Sequence, residues 1–439
     1  MEKESAPKPR GSQPTNMTDM VDTSVSRNLQ PRHDASPWAP LGEPLFRSLW
    51  IAAVISYVGT WMQNVGAGWL MTQLTMSPLM VSLVQAASTM PVFLVMLPAG
   101  ALADMVDRRR LLLVTQAWMV VAAALLGVFT LREHVTPWIL LLFTFLLGLG
   151  AVMNDPAWQA ITPEIVSPRQ HASAVALNSV GFNVARALGP ALGGLVITLA
   201  GSGTAFLLNA ASFFGVILFL YRWRRPPAED IAGGNLRESI VVGLRYVRSA
   251  AAVRCVLIRT AAFSLGASSL LALLPLLARP HGATGYGLLL GSFGLGALAG
   301  GASMPRLRTR LSVDGVVSFA IVLFALMTFA AGEVDSFGPL SVILFVSGAA
   351  WIGILACLNV AAQTMSPFAL RARALSAYLL VLQGGMAAGS ALWGEVASRL
   401  GVPRALLCSA AALVIGLVAV RRYRLTAHEL ELAPSVVRD

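Results

Sequence analysis

Twelve apolar stretches, each close to the roughly 20 residues a helix needs to cross a bilayer, follow one another between about Leu49 and Val420. They run roughly 48–70, 79–101, 111–131, 136–155, 172–199, 203–221, 255–277, 285–304, 313–332, 338–361, 374–396 and 402–420. A chain with this pattern reads as an all-α polytopic membrane protein. Composition agrees, with 56% hydrophobic and only 12% charged residues, where a soluble domain carries about 25% charge.

The formal net charge of +11 could suggest a nucleic-acid ligand, but the basic residues form short clusters between apolar segments rather than one basic face. They read as topology signals, and no nucleic-acid partner is expected. Lysine occurs only at positions 3 and 8, so no GxxxxGK[ST] phosphate loop exists to drive transport by ATP hydrolysis. Cys255, Cys357 and Cys408 lie too far apart for a CxxC pair, and the five histidines lack HxxxH or HExxH spacing. Neither a metal nor a cofactor is expected.

Counting Lys and Arg over alternate loops puts 26 of the 32 on the side of both termini, which marks that side as cytoplasmic. Residues 1–44 are rich in Pro, Ser, Arg and Asp without a signal-peptide core, and read as a disordered cytoplasmic tail. Six spans at 45–221 and six at 255–422 flank a polar linker at 222–254, and 423–439 form a second cytoplasmic tail. Within the linker Leu236, Ile240, Leu244, Val247 and Ala251 recur at helical spacing, as in an amphipathic helix on the inner membrane surface. The halves also repeat one another. Asn154, Gln159, Ser167 and Pro168 recur as Asn359, Gln363, Ser366 and Pro367, and Gly189-Pro-Ala-Leu-Gly-Gly194 recurs as Gly389-Ser-Ala-Leu-Trp-Gly394. Two six-helix bundles related by a parallel repeat are the simplest account.

The loop between the second and third spans reads Gly100-Ala-Leu-Ala-Asp104-Met-Val-Asp107-Arg-Arg-Arg-Leu111. It resembles the G-x-L-x-D-[RK]-x-G-[RK]-[RK] signature of the major facilitator superfamily. Gly100, Leu102, Asp104, Arg108 and Arg109 match, whereas Met105 and Asp107 replace a base and a glycine. With NDPAWQAITPEIV at 154–166, ARALGPALGG at 185–194 and GLRYVR at 243–248, the chain is similar to the enterobactin-exporter and macrolide-efflux branch, of the transmembrane secretion effector type. The resemblance implies a major facilitator fold over about 45–422. It also implies a gating role for Asp104, which contacts the start of the eleventh helix and releases it as the bundles rock. Arg108 in this motif often pairs with an acid at the cytoplasmic end of the fourth helix, where these boundaries put Asp155.

In the fifth span Gly181, Ala185, Gly189 and Gly193 form a small-residue ridge suited to close helix packing, and Pro190 completes a string like the GxxxGPxxGG of exporters. Ser179, Asn183 and Arg186 make a polar strip beside it. Arg186 lies about 14 residues, or roughly 21 Å, from the cytoplasmic start of its span, beyond the midplane of a core about 30 Å thick. A guanidinium there should face a cavity or a partner. Arg259, near the start of its span, reads as an interfacial side chain reaching back to the surface. Gln63 and Asn64 in the first span, with Asn183, Arg186, Asn359, Gln363 and Gln383, are candidate substrate contacts. Thr260, Ser264 and Ser268 in the seventh span could line a cavity or join helices.

These features point to a secondary active exporter working by alternating access on a small amphipathic compound, drug-like or siderophore-like. The chain is read as a monomer whose partners are that small molecule, the lipid bilayer and protons. A channel would predict rings of repeated polar residues, and a membrane enzyme a clustered nucleophile and base. Neither pattern is present in the sequence. Import stays open, because a fold does not set direction. The first span contains no acid, which leaves Asp155 as the candidate proton carrier.

Overall fold

Helix starts are set by prolines, which need no backbone acceptor in the first turn, and by caps that supply one. Pro44, Pro78 and Pro137 each open a helix. Asp107 accepts from the Arg110 amide at 2.8 Å, Thr136 from the Ile139 amide at 3.3 Å and Ser312 from the Gly315 amide at 3.1 Å. The computed structural model describes residues 36–223, 250–309, 312–367, 370–421 and 423. The proposed amphipathic helix of the linker and most of both tails lie outside the described residues. The first tail ends earlier than expected: Ala39–Gly42 form a 3-10 turn with Pro40 buried.

Among the described residues there are eleven helices long and apolar enough to cross a membrane. They are α1 (Pro44–Leu74), α2 (Pro78–Met105), α3 (Arg108–Leu131), α4 (Pro137–Ile165), a run His171–Arg222, α7 (Ala251–Leu277), α8 (Gly282–Arg308), α9 (Val313–Glu333), α10 (Phe337–Thr364), α11 (Arg371–Leu400) and α12 (Val402–Ala419). The run of 52 residues is broken by Gly201 at φ 80°, ψ 165°, a region that essentially only glycine enters. Residues 171–200 and 202–222 are therefore two helices, α5 and α6, which brings the membrane-length helices among the described residues to twelve.

The fourth span is longer than its hydropathy suggests. The apolar run ends at Asp155, yet α4 passes through Pro156 and continues to Ile165, because a polar face turned toward neighbouring helices does not end a helix in a bundle.

Helices α1–α6 and α7–α12 form two bundles. Met71, Leu126, Leu140 and Phe206 are core residues of the first, and Phe263, Leu270, Phe324 and Leu344 of the second. Lipid supplies no hydrophobic drive between helices, so close approach falls to small residues. A Cβ at Gly181 would lie 2.7 Å from Val54, at Gly189 2.6 Å from Trp61 and at Gly193 2.9 Å from Met62, so this side of α5 lies directly on α1. Ala185, on the same ridge, is fully buried. The bundles meet along α2 with α11 and α5 with α8.

Candidate functional site

Hydrogen bonds tie the two bundles together on one face of the molecule. On the face carrying the α1–α2, α5–α6, α7–α8 and α11–α12 connections, Arg279 donates to the Thr72 carbonyl, Ser398 Oγ accepts from the Leu79 amide at 3.1 Å, and the Thr198 and Thr284 hydroxyls lie 2.8 Å apart. Each of these bonds joins one bundle to the other.

Between the bundles lies a cavity of about 260 Å³. Its walls include Trp61 and Asn64 from α1, Gln85 and Ser88 from α2, Arg186 from α5, Tyr286 from α8, Trp351 from α10 and Gln383 from α11. Trp351 is braced by Phe263, Phe293 and Phe324, with ring centroids 5.4, 6.1 and 5.8 Å away, so its indole is a rigid wall. Arg186 stands fifteen residues into α5, about 22 Å along its axis. It has no ion-pair partner among the described residues. A guanidinium at such depth costs at least about 2.5 kcal/mol, and Arg186 lines this cavity.

Asp155 is not at the end of its helix. It lies ten residues before Ile165, about 15 Å along α4, which corrects the cytoplasmic position read from hydropathy. Its side chain is exposed, with no ion pair among the described residues. Tyr57 of α1 packs edge-on against Phe182 of α5, with ring centroids 5.4 Å apart. The expected Arg108–Asp155 pair does not form. Arg108 Nη1 instead meets Glu164 Oε1 at 3.0 Å, the acid nine residues further along α4 and therefore at the level of the α2–α3 loop. Arg109 donates through Nε to the Leu220 carbonyl at 2.7 Å and through Nη2 to the Tyr221 carbonyl at 3.0 Å, completing the open C-terminal end of α6. For Gly100 and Asp104 only the backbone, in the last turns of α2, is described.

The other sequence candidates separate. Asn64, Arg186 and Gln383 line the central cavity, and Gln63 lines a neighbouring one. Asn183 donates to the Ser179 carbonyl of its own helix at 2.8 Å, and Gln363 donates to Asn359 at 2.6 Å one turn away on α10. Neither group reaches the cavity. Thr260, Ser264 and Ser268 are fully buried, the last two against Gly385 and Gly389 of α11. Arg259 is no surface-reaching side chain: it is 4% exposed and pairs with Asp314 at the start of α9. Hydropathy missed Glu164, Tyr286 and Asn209. A polar group recurring inside the sixth span, as Asn209 and Ser212, was the available signal for the last.

The sequence model of the family described as "Transmembrane secretion effector" matches residues 35–437. The multidrug efflux pump Tap of Mycolicibacterium fortuitum is 28% identical over 87% of this chain and 96% of its own. The enterobactin exporter EntS of Shigella boydii serotype 18 is 26% identical over 89% of this chain and 96% of its own. A match to the staphyloferrin A transporter of Staphylococcus aureus, 26% identical, spans only 38% of this chain and 42% of that protein. The crystal structure of the nucleoside transporter NupG superposes with a TM-score of 0.70 at 13% identity, covering 87% of this chain and 99% of that one. That likeness is one of fold alone.

Proposed function

The chain belongs to the transmembrane secretion effector family, a multi-pass membrane transporter of the major facilitator fold, and on that premise we propose that it is a proton-coupled exporter of a small amphipathic compound. The observation that carries the reading is Arg186: an arginine in mid-helix, without an acidic partner among the described residues, facing a cavity walled by both bundles. An anionic or strongly polar part of the cargo supplies the missing partner. Trp61, Tyr286 and Trp351 suit its apolar part.

The bias of arginines toward the face of the chain ends makes that face cytoplasmic. The bonds at Arg279, Ser398 and Thr198 then tie the bundles together on the outside, and cargo enters the cavity from the cytoplasm. Rocking of the bundles exposes the cavity to the other side. Asp104 is the proposed inner gate, and Asp155, exposed and lacking an ion pair among the described residues, is the proposed proton carrier.

Accumulation of a panel of antibiotics, dyes and siderophores, compared in cells with and without the protein, tests export. Arg186→Lys should lose most efflux of anionic cargo, because a point charge does not reproduce the guanidinium fork. Undiminished efflux in that variant would remove Arg186 from the site. Reporter fusions at Gly234 and His428 should read cytoplasmic, and those at Gly282 and Asp335 external; inverted readings would reverse the assigned direction.

A further inference from the structure

The two bundles differ at one corresponding place. In the first, Arg109 at the start of α3 donates to the Leu220 and Tyr221 carbonyls at the end of α6, and Trp223 is buried in the same apolar cluster as Leu220. In the second, the start of α9 carries an acid instead. Asp314 pairs with Arg259 of α7, and between these two and the end of α12 lies a cavity of about 240 Å³. Ser318, one turn along α9 from Asp314, and Leu417, Val418 and Arg421 at the α12 end complete its walls.

The position of this cavity puts it beside lipid. Val418 in its wall is 55% exposed, and Ile415 on α12 and Phe319 and Val322 on α9 are exposed as well. On helices that cross a bilayer such residues meet acyl chains, and the ends of those helices lie at headgroup level.

The charge of the walls narrows the occupant further. Two arginines and one aspartate leave a net charge of +1. Arg259 is 4% exposed and held by Asp314, so these two cancel. Arg421 is exposed and has no ion-pair partner among the described residues. Ser318, half-buried, adds a hydroxyl that can donate.

We infer that this cavity holds the phosphate of an anionic membrane phospholipid, with Arg421 as its counter-charge, Ser318 as a hydrogen-bond donor and the acyl chains along the exposed sides of α9 and α12. Basic pockets between membrane helices on the cytoplasmic side suit anionic headgroups, whereas a zwitterionic lipid brings no net charge to match the wall. Seated there, the phosphate ties the start of α9 to the end of α12, as Arg109 ties α3 to α6 in the first bundle. The inference stands apart from the cargo reading, since none of these residues lines the central cavity.

The test uses native mass spectrometry of the full chain, purified in detergent and mixed with equal amounts of dioleoyl phosphatidylglycerol and dioleoyl phosphatidylcholine. The unmodified protein should retain the phosphatidylglycerol as its first bound lipid with a preference of about fivefold. Arg421→Gln should bring that preference close to one, while Arg306→Gln, which removes an exposed arginine near the end of α8 outside the cavity, should leave it unchanged. Lipid-free melting of the Arg421→Gln protein should match the unmodified one. If it does not, Ser318→Leu, which fills the cavity and keeps Arg421, takes its place and must lose the preference in the same way. No preference in the unmodified protein, or a preference that survives Arg421→Gln, overturns the site. Equal loss in Arg306→Gln overturns it too, since general basic charge would then suffice. If glycerol 3-phosphate at the concentration of the lipid displaces phosphatidylglycerol, the ligand is a soluble phosphate and the lipid assignment falls.

Discussion

Gly201 and Gly401 hold the same backbone conformation, one in each bundle, at φ 80°, ψ 165° and at φ 86°, ψ 159°. Each follows the fifth helix of its bundle and turns the chain into the sixth with no intervening loop. The repeat seen in the GPALGG and GSALWG strings thus extends to a turn that side-chain similarity alone does not reveal.

No atom crowds a Cβ at either glycine, so an alanine there would be penalised by backbone strain alone, by about 1–3 kcal/mol. Gly201→Ala and Gly401→Ala should each lower the apparent melting temperature of the detergent-purified protein by several degrees. An unchanged melting temperature in both would mean that the turns relax freely.

The contact between Arg108 and Glu164, each about a quarter exposed or less, should couple α3 to α4 by about 1 kcal/mol. A double-mutant cycle with Arg108→Gln and Glu164→Gln in thermal or denaturant unfolding measures it. The same cycle with Asp155→Asn in place of Glu164→Gln should return no coupling, since Asp155 lies about 13 Å nearer the other end of α4. Coupling to Asp155 instead would restore the pairing that the motif implies.

Arg279→Ala removes the bond to the Thr72 carbonyl between the bundles. Spin labels on Thr75→Cys and Asp335→Cys should then show a longer and broader distance distribution than in the protein with Arg279 intact. An unaltered distribution would mean that the glycine seams alone hold the bundles together on this face.

If Asp155 carries the proton, Asp155→Asn protein in proteoliposomes should transport without response to an imposed pH gradient, while the unmodified protein follows it. Transport by Asp155→Asn protein that still tracked the gradient would move the proton site elsewhere. An unmodified protein indifferent to the gradient would remove proton coupling altogether.

Spans, repeat and family motif were legible in the sequence because the bilayer imposes them locally: twenty apolar residues, a basic loop and a GPxxGG string each carry their meaning without reference to a partner. Asn64, Arg186 and Gln383 as cavity residues could be read in the same way, since a polar group inside an apolar span must face something polar. Which polar group each one faces was not legible. Asp155 and Glu164 are two acids on one helix, and only the position of α3 beside α4 gives Arg108 to the second. Gln63 and Asn64 are adjacent in the chain, yet the packing of α6 sets one against Asn209 while the other borders both cavities. Helix association in lipid rests on small-residue fit and van der Waals contact rather than on an apolar stripe. Neighbour identity therefore leaves no periodic trace along the chain, and tertiary packing alone decides it.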